Sequence, residues 1–351
     1  MTTTRRSSRK QGTAPTIADV ARIAGVSPMT VSRVINGETN VRDATREAVN
    51  AAISELDYAP NPAARSLAGA NQIRIGLLYS NPSAAYLSEF LVGGLEQASR
   101  ADVQLVIHKC DVDGHEVEAA RHLVASGVDG VILPPPLCDA ADVIAVLAAA
   151  ATPVVVVASG APAERVSAVS IDDHRAAFEM ARHIAGLGHR RIGFIVGNPN
   201  QTASAQRLNG FRDALAQAGL AADEALIRQG LFTYRSGLEA AEALLDLADA
   251  PTAIFASNDD MAAAVVAVAH RRGLDVPRDL TVCGFDDTAL ATTIWPELTT
   301  IHQPIADMSR EAVDLLVREI RSKRNRRVED RRHLVLDHAL VRRQSDGAPR
   351  G

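Results

Sequence analysis

Residues 16–37 read TIADVARIAGVSPMTVSRVING, and each piece of the stretch has a mechanical reading. Thr16 followed three residues later by Asp19 is a capping-box pair, and Ile17, Val20, Ala21 and Ala24 make the apolar stripe of a short helix. Gly25 ends that helix. Ser27 is a good N-cap and Pro28 suits a first helical position, so a second helix starts about three residues after the first stops. Two short helices joined this tightly make a helix-turn-helix, whose second helix lies in the major groove with its N-terminal side chains at base edges. Val26, Val31 and Val34 are spaced to face the first helix, leaving Pro28, Met29, Thr30, Ser32 and Arg33 more exposed. Pro28, Met29 and Arg33 are candidates for base readout, Arg33 through bidentate pairing with guanine O6 and N7. Thr16, Thr30, Ser32 and Asn36 complete the candidate DNA-contacting set in this segment.

Upstream, residues 1–15 hold Arg5, Arg6, Arg9 and Lys10 among Thr, Ser and Gly with no apolar core of a secretory signal, and are expected to be a flexible basic arm. Downstream, Arg42 to Leu56 is expected to be a third helix closing a small core, with its start open between Arg42 and Asp43. The segment from Asn61 to Gly69 has an Asn N-cap, Pro62 at the first position and a Gly stop, which define about two turns of helix. A helix that short needs a partner to order it.

DVARIAGVSPMTVSRVIN followed by REAVNAAISELDYAPNPAARSLAG resembles the N-terminal domain and hinge of the LacI/GalR family of bacterial transcription regulators. The resemblance implies a head at 16–60 and a hinge helix and linker at 61–71, the helix folding when two subunits sit on an operator. Leu67, with Ala64 and Asn61 on the same short helix, then occupies the position that wedges into the minor groove, a general way of kinking DNA.

Beyond Ala70 short β-rich runs alternate with amphipathic helical stretches. IRIGLLYS, VQLVIHKC, GVDGVILPP, TPVVVVAS and VSAVSID read as strands, and the pattern restarts after Asp172 with RRIGFIVG, AIFASND and LTVCGFDD. The fold class expected is an all-α helix-turn-helix head on an α/β body of two Rossmann-like lobes, which resembles periplasmic sugar-binding proteins. That resemblance implies a body at 72–343, its N-lobe about 72–171 and 303–330 and its C-lobe about 172–302 and 331–343. The chain would cross between lobes near Asp172, near Ile301 to Gln303 and near Arg331, with HLVLDHALVRR returning to the second lobe and residues 344–351 a tail.

A ligand is expected between the lobes, at the carboxyl ends of the strands. Family positions carried onto this chain are Asn81, Tyr86, Asp172, Arg207, Phe232, Asn258, Asp259, Asp286 and Gln303. Their amides, acids and guanidinium suit vicinal hydroxyls and the two aromatic faces suit a sugar ring. The competing roles are structural: Arg207 and Asp286 as an ion pair, Asn258 as a helix cap, Asp172 as a crossover fix. Trp295 is left between the cleft and a dimer contact.

The net charge of −5 conceals an asymmetry: residues 1–71 carry nine Lys and Arg against six Asp and Glu, +3, and the remainder 28 against 36, −8. Three separated cysteines with no ligand spacing argue for reduced thiols and no zinc site. The run from Arg318 to Arg332, with eight Lys and Arg against three Asp and Glu, is read as a solvated helix end and loop. No P-loop, GxSxG elbow, HExxH or GxGxxG after a strand is present, so no enzyme, cofactor or metal is expected. The expected protein is a cytoplasmic homodimeric regulator, a repressor in its simplest form, with operator DNA and a sugar or glycoside effector as partners and no membrane. A solute-binding protein and a purine- or nucleoside-responsive regulator are the alternatives.

Overall fold

The computed structural model describes residues 15–35, 41–56, 58, 72–110, 114–326 and 330–350. The chain divides into two compact units, 1–72 and 73–351.

In the first unit, α1 (Ile17–Ala24) opens with the full capping box, Thr16 and Asp19 each bonding the other's backbone, and ends at Gly25 with φ +66°. Ser27 accepts from the Thr30 amide at the start of α2 (Pro28–Ile35). α3 spans Asp43–Glu55, with Arg42 as an N-cap that makes no side-chain bond. Val20, Ala21, Val31, Val34, Val49 and Ala52 form the core of the three helices.

The second unit is built in three passes. The first lays down β1 (Arg74–Tyr79), α4 (Ala84–Arg100), β2 (Gln104–Lys109), α5 (Glu116–Ala125), β3 (Gly130–Leu133), α6 (Ala141–Ala149), β4 (Val154–Val157) and β5 (Ser167–Ile171). The second pass makes the other lobe: α7 (Asp173–Gly186), β6 (Ile192–Val196), α8 (Thr202–Gln217), β7 (Ile227–Gln229), α9 (Tyr234–Leu245), β8 (Ala253–Ala256), α10 (Asp259–Arg271), β9 (Thr281–Cys283), α11 (Leu290–Thr293) and β10 (Thr300–His302). The third pass is α12 (Ile305–Arg324), β11 (His333–Leu336) and β12 (Ala339–Val341). The strands of both main sheets are parallel, in orders β11-β5-β4-β3-β1-β2 and β7-β6-β8-β9. β10 pairs antiparallel with β12 and joins the second sheet through bridges Cys283 to Thr299 and Asp286 to His302. The inner strands are apolar on both faces because helices cover both.

Two details differ from the sequence reading. HLVLDHALVRR is not one strand of the second lobe: β11 pairs with β5 in the first-lobe sheet, from His333 opposite Ala168 to Leu336 opposite Ile171. The third crossover therefore falls at Asp337 and His338, not near Arg331, because a bare β5 edge takes four more residues before the chain leaves. The residues after 343 are not a loose tail either. Ser345 donates to the Val282 carbonyl and accepts from the Thr299 amide. Asp346 accepts from His183 at 2.8 Å and from Thr299 at 2.5 Å.

Candidate effector-binding site and DNA-reading head

The strand ends and helix starts of the two lobes converge on a cavity lined by Asn81, Tyr86, Arg207, Phe232, Asn258, Asp286 and Gln303, seven of the nine proposed positions. Pro82, Ser83, Pro135, Ala158, Gln201 and Ala203 complete the lining. The free space is about 30 Å³, room for roughly two waters and less than a sugar ring.

Arg207, on the first turns of α8, is 4% exposed and organises the floor. Its Nε donates to Asp173 Oδ1 at 2.7 Å, Nη1 to the Ser257 carbonyl at 2.5 Å and Nη2 to Gln303 Oε1 at 3.2 Å. Asp286 Oδ1 stands 3.8 Å from Nη1, and the guanidinium carbon lies 3.6 Å from the Phe285 ring centroid. Burial pushes the Asp173 and Asp286 carboxyls up, and the Arg207 charge opposes the rise at both. Asp286 and Asp287 are held at φ +105° and +59°, a strained arrangement for residues with a side chain, fixed by the Asp286 amide bonding to Ile301 and its carbonyl accepting from Gln303.

The aromatic wall is equally placed. Phe232, itself at φ +59°, lies against Gly197, where a Cβ would stand 1.9 Å from the ring, so only glycine admits it. Asn258 Nδ2 donates to the Phe232 carbonyl at 3.1 Å while its Oδ1 caps α10 by accepting from Met261. Asn258 thus both caps and lines. On the opposite wall Tyr86 stacks over Phe90, and burial drives its phenol well above the ordinary range, so the hydroxyl stays neutral. Tyr86 Oη and Gln303 Nε2 are buried with no hydrogen-bond partner among the described residues.

Asp172 and Asp259 do not line the cavity. Asp172 caps α7 through the Arg175 amide at 2.9 Å. Asp259 accepts from the Thr288 amide and the Thr300 hydroxyl at 2.8 and 2.7 Å, fastening the loop that carries Asp286. The neighbours that sequence reasoning passed over are Asp173, one residue from the proposed Asp172, and Asp260. Helix phase, which turns the first residue of α7 inward where its cap faces out, is the signal that separates Asp172 from Asp173. Trp295 is 74% exposed and away from the lining.

The mouth is latched between lobes. Ser83 donates to Asp260 at 2.6 Å, and Asp139 accepts from the Thr202 amide at 2.8 Å and hydroxyl at 3.0 Å. Gly160 approaches Ala203 so closely that a Cβ would stand 2.8 Å from its nitrogen.

In the head, Pro28, Met29 and Arg33 on α2 are exposed, Met29 at 65%, while Val31 and Val34 are buried. Thr30 and Ser32 are half-buried and Thr16 is exposed as a cap. Asn36, Asn61, Ala64 and Leu67 lie outside the described residues.

The family models that match are the bacterial regulatory proteins of the lacI family over residues 16–61 and a periplasmic binding protein-like domain over 181–345. The transcriptional regulator DegA of Bacillus subtilis is 38% identical over 94% of this chain and 97% of its own. The chain belongs to the LacI family. As a LacI-family member it is a DNA-binding transcriptional regulator, with the helix-turn-helix as its reading head. Its fold is similar to that of the regulator CelR in complex with cellobiose, with a TM-score of 0.72, 34% identity, and coverage of 94% of this chain and 99% of that one. The lac repressor dimer bound to operator gives 0.76 and 29%, over 96% and 100% of the two chains. No helix among the described residues is long and apolar enough to cross a membrane.

Proposed function

We propose that this LacI-family regulator is a homodimeric cytoplasmic repressor, without enzymatic turnover, whose operator affinity is set by an uncharged sugar or glycoside held between the lobes. The observation that carries the ligand class is the pair of buried, unpartnered groups on the cavity wall, Tyr86 Oη and Gln303 Nε2. Each costs about 1–3 kcal/mol while unmet, and ligand hydroxyls supply what both lack. Phe232 and Tyr86 offer flat faces for a ring. Arg207 is already flanked by Asp173 and Asp286, so the site has no cation to spare for an anionic group. The cellobiose bound by CelR is in keeping with this chemistry.

The switch is a matter of linkage. A ligand that prefers one lobe arrangement biases the spacing of the two N-lobes, and with it whether hinge segments, Leu67 among them, engage the operator together. Thermal shift and calorimetry over a panel of neutral sugars, phosphorylated sugars and purines test the assignment. A neutral sugar is expected to bind the wild type and to bind Tyr86→Phe and Gln303→Leu about 10-fold more weakly or worse, since each removes one ligand bond. A purine or sugar phosphate binding where no neutral sugar does sinks the reading.

A further inference from the structure

The basic run of 318–332 acquires a location in the fold that its sequence reading as a solvated helix end does not supply. Because every strand of the first-lobe sheet is parallel, all six begin at one edge: Arg74 pairs with Gln104, Ile75 with Gly130, Val131 with Val154, Val155 with Ser167, and Ala168 with His333. The end of α12 reaches the same edge. Arg324 pairs with Asp129 at 2.8 Å, and the same carboxylate accepts from the Arg74 amide at 2.8 Å. Lys323 donates to the Ala151 carbonyl just beyond α6. The approach to β11 passes there too, with the Arg332 amide bonding to Ser167 at 3.1 Å.

These bonds account for part of the charge. Lys323 and Arg324 hold the segments before β4 and β3, and Arg331 pairs with buried Glu319. Arg321, Arg326 and Arg332, together with Arg165 beside the start of β5, are exposed and form no ion pair among the described residues. An acidic body of −8 thus carries, along one edge, guanidinium groups that form no ion pair among the described residues. β1, whose first residue lies on that edge, is also where the chain arrives from the DNA-reading head. Tyr58 and Ile73 are fifteen residues apart in sequence, so DNA bound by the head is bound on the same chain that carries this edge.

We propose that this edge is a second, sequence-independent DNA contact, in which Arg165, Arg321, Arg326 and Arg332 neutralise backbone phosphates beyond the operator core. It adds affinity and salt dependence and carries no base readout.

The test uses the full-length protein and an operator selected from random duplexes by that protein. Affinity is measured by fluorescence anisotropy at several salt concentrations, on a duplex of about 20 bp spanning the two half-sites and on one of about 60 bp with flanks. The wild type binds the long duplex more tightly and with the steeper slope of log K against log salt. The fourfold Arg→Gln variant loses that gain, its slope on long DNA shallower by about 2 to 4, and keeps wild-type affinity on the short duplex. The fourfold Arg→Lys variant keeps the gain, because a phosphate contact needs charge more than guanidinium geometry. Equal slopes for Gln variant and wild type on long DNA overturn the proposal, as do equal losses in the Gln and Lys variants or a loss by the Gln variant on the short duplex.

Discussion

Among the described residues lining the cavity, Arg207 alone carries positive charge, and two buried acids depend on it. Arg207→Ala is expected to cost about 3–5 kcal/mol of unfolding free energy, since it strands Asp173 and Asp286 without a partner. Both carboxyls are already raised by burial, so protonation relieves the variant: denaturant melts at pH 5 and pH 8 should show the smaller penalty at pH 5. A penalty independent of pH contradicts the role given to Arg207. Asp346 works in the opposite sense. Burial raises its carboxyl, but the hydrogen bonds from His183 and Thr299 and the charges of His183 and Arg342 outweigh it and hold it at about 2. Its stabilisation is therefore full above about pH 4 and is lost as the pH falls from there through about 2. The difference in stability between wild type and Asp346→Asn should shrink by about 2 kcal/mol across that window, as read by chemical melts.

At the scale of elements, α2 is short and amphipathic, with valines inward and Pro28, Met29 and Arg33 outward. Arg33→Ala is expected to relax base preference at one operator position by about 1–3 kcal/mol in a selected-site profile and to leave the other positions alone. This element was legible in the sequence because its signals are local: a capping box, a glycine stop and a proline at the first position all lie within three residues of what they control. The lobes were legible in outline for the same reason, each strand being an apolar run between breakers. The pairing of β11 was not, since nothing within His333–Leu336 states which sheet has a free edge. Within the site, Arg207, Phe232 and Gln303 were found through family position. Asp173 escaped because Asp172 and Asp173 are chemically alike and only the phase of α7 parts them, and the role of Gly197 is visible only once Phe232 lies on it.

For the whole molecule, the latches across the cleft set the terms on which a ligand enters. With only about 30 Å³ free, a ring-sized ligand reaches the floor after Ser83–Asp260 and Asp139–Thr202 have parted. Asp139→Ala is expected to raise the association rate of the effector and raise its dissociation rate more, for a several-fold weaker Kd in stopped-flow fluorescence; unchanged rates exclude a gating role. The three passes between lobes have a further consequence during synthesis. β11, which fills the edge beside β5, follows the whole second-lobe run from α7 to β10 in the chain, with only β12 and the last residues of that lobe after it. The ribosome therefore delivers most of the second lobe before the first can finish its sheet, and the β5 edge stays open to foreign strands for that interval. Nonsense mutations between residues 172 and 332 should accordingly yield aggregating fragments in place of a soluble first lobe.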